Sequence, residues 1–266
     1  MDDALRLLEA VRTDRVHGAR QLTLLALDAL RKAVEAGPEG PALLERARWT
    51  AEQVAGLRPG MAPLRNLALR FLAGLQEPRR EPALALLDAL RRDLEEAGER
   101  VAEQALTVLP PEGEVLTCSY SSTVVSALVL ARRRGQALEV RVLASLWGGI
   151  AHGERTAGAL REAGLPVRLY PDDALAEAVE GVQVALIGAD RVLPYGTVLN
   201  GVPSRALAEA VRGQAPLYAL ADTWKFARTL EAEPGLEPVP PDLLAGIVTE
   251  HGVLHPGEVE AWMPPW

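Results

Sequence analysis

Hydrophobic positions in the first hundred residues recur at three- and four-residue spacing, and near residue 107 that rhythm gives way to short apolar runs. Leu5, Leu8 and Val11, then Leu22, Leu25, Ala26, Ala29 and Leu30, fall on one side of a helix with 3.6 residues per turn. Pro38-Glu39-Gly40-Pro41 and Arg58-Pro59-Gly60 interrupt the series. Proline removes a backbone donor there, and glycine adds chain entropy that a helix must lose. Further helices are expected over 43–57, 64–75 and 82–106. The spacing predicts an all-helical N-terminal domain, residues 1–107, built as a bundle.

Beyond Pro110, Pro111 and Gly113 the pattern alternates. Strands are expected over 115–118, 139–144, 167–170, 182–187, 217–221 and 246–249. Helices are expected between them, over 122–134, 154–163, within 174–179, and over 203–211. Alternation of this kind predicts an α/β domain, residues 108–266, with a Rossmann-like parallel sheet and helices on both faces. No internal repeat and no low-complexity tail is found.

Composition narrows the function classes. Apolar residues make up 48% of 266, enough for a full core, and the net charge of −8 argues against a nucleic-acid-binding surface. Cys118 is the single cysteine, which excludes an internal disulfide and suits a reducing cytoplasm. No apolar run reaches 18 residues, and the start Met1-Asp2-Asp3 is acidic where a signal peptide is basic. A soluble cytoplasmic protein without a membrane partner is expected. The histidines at 17, 152, 251 and 255 have no metal-ligand spacing with each other or with Cys118, so no metal is expected. Neither a dinucleotide fingerprint, a P-loop nor a nucleophile elbow occurs, and no cofactor is expected.

The richest segment is Ile187 to Asn200. An apolar run ends in small residues and delivers Asp190 at its C-terminal edge, where open α/β sheets bind ligands. Burial there raises a carboxyl pKa into a useful range; the bland alternative is a helix cap or a partner for Arg191. Asn200-Gly201 is expected to open the helix at Pro203. The strand ending at Cys118 runs into Ser119-Tyr120-Ser121-Ser122-Thr123. Hydroxyls at a helix start suit an anion, or Ser121 or Ser122 simply caps the helix. Trp147-Gly148-Gly149-Ile150-Ala151-His152-Gly153 is either a mobile loop near the ligand or an ordinary crossover, with His152 on the surface. Lys225, one of two lysines, is a compact charge for phosphate or an accident of the surface.

In order and spacing these pieces resemble one family. It unites the alpha, beta and delta regulatory subunits of eukaryotic initiation factor 2B with methylthioribose-1-phosphate isomerase and ribose-1,5-bisphosphate isomerase. His17-Gly18-Ala19 looks like the family's Arg-Gly-Ala with the arginine replaced, and Arg58-Pro59 with Leu64 and Asn66 is similar to its Arg-Pro-Thr segment. Leu116-Thr117-Cys118-Ser119-Tyr120-Ser121 looks like Thr-His-Cys or Thr-His-Ala-Tyr-Ser. Gly188-Ala189-Asp190 matches the Gly-Ala-Asp of the isomerases, Asn200 matches the asparagine of Asn-Lys, and Asp222-Thr223-Trp224-Lys225-Phe226 is similar to Glu-x-Tyr/Phe-Lys-Phe.

The resemblance implies a phosphorylated sugar or nucleotide as ligand and a homodimer or higher homo-oligomer. It implies aldose–ketose isomerisation with Asp190 moving the proton, assisted by Cys118 or Ser119. Gly18, Ala19, Arg58, Ser121, Asn200 and Lys225 would then hold ligand oxygens. The sequence departs from the pattern at telling places. The catalytic cysteine aligns with Ser119, Cys118 lies one residue earlier on the opposite side of the strand, and Gly201 replaces the lysine after the asparagine. Ala144-Ser145-Leu146-Trp147 and a longer loop replace Glu-Thr/Ser-Arg-Pro, leaving Lys225, Arg58, Arg155 and Arg205 as cations for phosphate. Tyr120 looks more like the regulatory subunits. Two other functions therefore stand beside the isomerase: a non-catalytic regulatory protein of translation, and a different chemistry using the Trp147–His152 loop.

Overall fold

A computed structural model describes residues 3–266; Met1 and Asp2 of the acidic start lie outside it. Five helices come first: α1 (Asp3–Thr13), α2 (Ala19–Ala36), α3 (Pro41–Gly56), α4 (Ala62–Gly74) and α5 (Arg80–Ala105). Their apolar stripes meet in one cluster centred on Leu22, Leu30, Leu64, Phe71 and Leu94. Proline enters α3 and α4 only in the first turn, where its missing N–H costs nothing. Leu5 is exposed; Ala4 forms the inner stripe of α1 with Leu8 and Val11.

The rest alternates. In order come β1 (Glu112–Thr117), α6 (Ser122–Arg133), β2 (Ala137–Leu143), β3 (Leu146–Trp147), β4 (Ile150–Ala151), α7 (His152–Glu162), β5 (Val167–Tyr170), α8 (Leu175–Ala178) and β6 (Val184–Ile187). Then follow β7 (Arg191–Val192), β8 (Val198–Gly201), α9 (Ser204–Val211), β9 (Leu217–Leu220), β10 (Leu236–Val239), β11 (Gly246–Thr249) and β12 (Gly252–Leu254). The main sheet has the order β12-β11-β9-β6-β1-β2-β5. Its neighbours pair in parallel except β12, which folds back antiparallel on β11. The expected Rossmann-like α/β fold is present, with one antiparallel edge strand added.

One face of the sheet packs against α6, α7 and the C-terminal half of α5 through Val101, Val124, Leu128 and Leu160. The other packs against α8 and α9 through Ala178, Leu207 and Val211. The N-terminal half of α5 belongs to the helical core, so this one helix contributes to both cores. Trp224, from the turn after β9, is buried in the helical cluster. Asn66 on α4 fixes that turn, its amide donating to the carbonyls of Trp224 (2.6 Å) and Phe226 (2.9 Å).

Strand order sets the position of the site. From β1 the chain winds outward through β2 and β5, then returns to the other side of β1 and winds through β6, β9 and β11. The direction reverses between β1 and β6. Loops leaving the C-terminal ends of those strands diverge, and a crevice opens between them. No helix among the described residues is long and apolar enough to cross a membrane.

Candidate functional site

At the end of β1 the chain turns sharply. Ser119 adopts a left-handed backbone conformation (φ 58°), which costs a non-glycine residue about 1 kcal/mol or more. Its N–H donates to the hydroxyl of Ser145 (2.6 Å), and its carbonyl accepts from the hydroxyl of Thr156 (2.7 Å). Those bonds hold the strain. The turn sends the two neighbouring side chains opposite ways: Cys118 is buried with its sulfur 3.4 Å from Ser204 Oγ, whereas Ser119 faces a cleft of about 270 Å³. Burial pushes the Cys118 thiol up to about 12. Cys118 thus stands apart from the cleft, as the one-residue offset suggested.

Asp190 follows β6 on the facing side of the crevice. Its backbone is tied on both sides, its N–H donating to Leu199 and its carbonyl accepting from Ala62 at the start of α4. The carboxyl group keeps only a part of its surface open to the cleft and is otherwise enclosed by protein. Burial raises its pKa to about 6, with Glu233 adding to the rise; Lys225, Arg58 and the N–H of Ala19 oppose it. Asp190 is neither a helix cap nor a partner of Arg191. The guanidinium of Arg191 is buried on the far side, donating to the carbonyls of Pro59 and Thr229.

Beside Asp190 a narrow recess opens off the same cleft, bounded by Gly18, Ala19, Ser121, Asn200 and Lys225. The N-termini of α2 and α6 converge on it. Gly18 caps α2 without a side-chain bond; the first N–H of the helix, that of Ala19, goes to the Asp190 carboxyl, and the following ones have no capping side chain. Ser121 caps α6, accepting from Val124 (3.3 Å), and so the capping reading holds for it. Thr123 Oγ is buried at the recess without a hydrogen-bond partner. Lys225 is buried and Arg20 also lines the recess, its other guanidinium nitrogen held by the Glu95 carbonyl (2.9 Å). Two helix termini, two cations and a free hydroxyl, with the Asp190 carboxyl beside them, are groups that can hold anionic oxygen atoms.

Close backbone approaches make the site compact. A Cβ on Gly188 would lie 2.6 Å from Ser121 Oγ, and one on Gly201 would lie 2.5 Å from Ser119 Oγ. The glycine that replaces the family's lysine therefore stands where the Ser119 hydroxyl leaves no room.

Other expectations are revised. Asn200 lies on β8, one turn before α9 begins at Ser204, and its amide donates to Ser204 Oγ (2.8 Å). Arg58 lines the cleft, but it is ion-paired with Glu233 and donates to the Asp14 carbonyl (2.7 Å). Arg155 stacks on Tyr120 at 4.0 Å and bonds the Val16 carbonyl, and Arg205 pairs with Glu209 at the surface. Trp147–His152 is not a loose crossover: β3 and β4 form a hairpin. His152 is half-buried in the cleft wall, and burial lowers its pKa. Arg20 and Thr123 were not singled out as ligands; the hydroxyl run at 119–123 was the only pointer to the latter.

Comparison with known proteins agrees with this architecture. A ribose 1,5-bisphosphate isomerase of Archaeoglobus fulgidus is 26% identical over 240 residues, covering 88% of this chain and 75% of that one. A methylthioribose-1-phosphate isomerase of Gemmatimonas aurantiaca is 30% identical over 285 residues, covering 97% and 78%. The crystal structure of translation initiation factor eIF-2B from Pyrococcus horikoshii superimposes with a TM-score of 0.88 at 26% identity, over 96% of this chain and 98% of the other. Residues 15–236 match the model of the initiation factor 2 subunit family, and the chain belongs to that family.

Proposed function

We propose that this chain binds a phosphorylated pentose in the crevice and isomerises it between aldose and ketose. The phosphate oxygens lie in the recess among Lys225, Arg20, Ser121 and the two helix N-termini. Gly18 and Ala19 supply backbone, and Asn200 a side chain. Asp190 then sits beside the sugar carbons. As a carboxylate it takes the proton from C2 and as an acid returns it to C1, while the bond from C1 to the ring oxygen breaks, the ring oxygen gains a proton and the C2 hydroxyl loses one to become the ketone. The carrying observation is the pKa of Asp190, raised to about 6 at the junction of recess and cleft, because proton transfer is fastest from a group that titrates near the working pH. Ser119, rather than Cys118, is the residue in position to hydrogen-bond a sugar oxygen.

One observation favours a second reading. With the thiol of Cys118 turned to Ser204, the cleft has no acid to pair with Asp190 in the way the resemblance implies, which suits a regulatory protein that binds a sugar phosphate without converting it. In either reading the protein works as a homo-oligomer in the cytoplasm. The experiment is turnover of ribose 1,5-bisphosphate and of methylthioribose-1-phosphate by the wild type and Asp190→Asn. Isomerisation predicts product from the wild type, with a loss of 10²-fold or more in the variant while ligand still binds. Binding without turnover of either compound leaves the second reading, and absence of binding refutes both.

A further inference from the structure

Lys225 reaches the recess from a single turn, Thr223–Lys225, that follows β9. The turn closes on itself, the N–H of Lys225 donating to the Asp222 carbonyl (3.0 Å) and that of Phe226 to the Thr223 carbonyl (3.2 Å). Its later part is fixed from the helical side. Asn66 holds the carbonyls of Trp224 and Phe226, and the indole N–H of Trp224 donates to Asp93 (3.1 Å).

Its first residue is held differently. The leading N–H groups of a helical turn need a cap, and Asp222, placed to supply one, makes no side-chain bond there; neither of its oxygens has a partner. The cap comes instead from Glu250, 27 positions beyond Thr223 and directly after β11. Both of its oxygens accept from the Thr223 N–H (3.1 Å each), and one accepts from the Thr223 hydroxyl (2.5 Å). Glu250 is itself secured. The Thr249 hydroxyl donates to the Gly252 carbonyl (2.9 Å) and accepts from the His251 N–H (3.2 Å), fixing the turn between β11 and β12, and the His251 ring stacks on Trp262 at 4.7 Å.

Electrostatics alone works against this carboxylate. Glu250 is buried, which is costly for a charge unless its hydrogen bonds offset it. It adds to the rise that burial causes in the pKa of Asp222. A negative charge here also repels an anion in the recess, so charge by itself predicts tighter phosphate binding once Glu250 is gone. What favours it is the strength of its bonds to Thr223, since an ionised acceptor binds about twice as strongly as a neutral one. Lysine has a flexible four-carbon stem, so its ammonium is well placed only when the backbone that carries it is fixed.

We infer that Glu250 is a positioning residue of the recess, acting through Thr223 to hold the turn from which Lys225 meets the phosphate. Glu250 lines neither the cleft nor the recess. The inference rests on the phosphate reading of the recess and adds to it a residue from the β11–β12 turn.

Isothermal titration of the full chain with ribose 5-phosphate tests it, with circular dichroism to check that each variant is folded. Glu250→Ala is expected to bind about tenfold more weakly than the wild type, the scale of one hydrogen bond to a charged group. Thr223→Val keeps the shape, removes only the hydroxyl and should lose about threefold, whereas Thr223→Ser keeps the hydroxyl and should stay within about twofold. The deciding comparison uses Lys225→Gln. When Glu250 acts through the lysine, adding Glu250→Ala to Lys225→Gln changes affinity by less than about twofold. A loss as large without Lys225 as with it overturns the inference by making Glu250 a general support of the fold. Unchanged or tighter binding by Glu250→Ala also overturns it, while weaker binding by Lys225→Gln alone keeps the phosphate reading intact. If Glu250→Ala does not fold, the Thr223 pair decides, and equal affinities of Thr223→Val and Thr223→Ser overturn the inference. No binding by the wild type refutes both.

Discussion

Replacing Asp190 with asparagine is expected to stabilise the protein at neutral pH, and the reason lies in the enclosure of its carboxyl group. Burial raises that pKa from 3.8 to about 6. Each unit is worth about 1.4 kcal/mol, so folding with a charged Asp190 costs at most about 3 kcal/mol. The direction follows from proton linkage. The folded protein keeps a proton that the unfolded chain has released, so the stabilising contribution is full below about pH 4 and is lost as pH rises through about 6. Asparagine has the shape of the protonated acid at every pH. Asp190→Asn should therefore match the wild type near pH 4 and exceed it by up to about 3 kcal/mol at pH 7.5. At roughly 2 °C per kcal/mol for a chain of this size, the melting temperature should rise by several degrees. The attraction of Lys225 is already contained in that net shift, since it opposes the rise that burial causes. Urea titrations at about four pH values between 4 and 7.5 measure the gain. A difference between the two proteins that stays constant across this range would refute the reasoning, as would a variant less stable at pH 7.5.

Lys225→Gln should weaken inorganic phosphate and ribose 5-phosphate by about tenfold or more, since a hydrogen bond to a charged group contributes about 1.5–3 kcal/mol; calorimetry showing unchanged affinity would remove Lys225 from the site. Cys118, buried and with its pKa pushed up to about 12, should resist a disulfide reagent at about pH 8 until the chain unfolds, and Cys118→Ala should leave ligand affinity unchanged. Rapid labelling of the native protein would contradict that placement. Asn66→Ala strips the donor from two buried carbonyls, Trp224 and Phe226, and should cost about 2–4 kcal/mol in urea denaturation and lower phosphate affinity through the Lys225 turn. A cost below about 0.5 kcal/mol would show that water replaces the amide.

The parts of this molecule that follow a local rule were legible in the sequence. Helices with a continuous apolar stripe and strands set between helices were placed to within a few residues, because burial of one face imposes a period that survives in the pattern. Asp190 was legible for a similar reason: an apolar run ending in small residues is what a buried strand looks like where it meets its crevice. Short pairings were not. β7 has two residues, and β8 is separated from it by Pro194-Tyr195-Gly196, so neither has length enough to show an alternation. Asn200-Gly201 carries a turn signal, yet pairing with β10 keeps it in a strand. Charge pairing was invisible too. Arg58 meets Glu233 across 175 positions, a distance over which no spacing rule operates. Arg20 looked like any arginine on a helix. The nearest hint was Gly98 inside α5, whose missing side chain leaves the space the Arg20 guanidinium fills.

The proposed phosphate recess is surrounded by more negative charge than such a site needs. Lys225 is shared between Asp190 and Asp222, both with pKa values raised by burial, and neither oxygen of Asp222 has a hydrogen-bond partner. Arg20 lies close enough to lower the pKa of Asp222, so two cations face two buried acids before any ligand arrives. Lys225 and Arg20 already balance the two acids, so a phosphate dianion entering this arrangement leaves two excess negative charges, which one acid taking up a proton halves. Asp190 is the acid in contact with the cleft, so the arriving phosphate pushes its pKa further upward. Isomerisation needs it to act first as a base, which sets the ligand's charge against the chemistry. The two are reconciled if the proton goes to Asp222, which lines neither the cleft nor the recess and has unfilled acceptor sites. On the proposed reading, Asp222 neutral and Asp190 charged leaves one excess negative charge and keeps the base ionised, so that phosphate binding and proton abstraction can coexist.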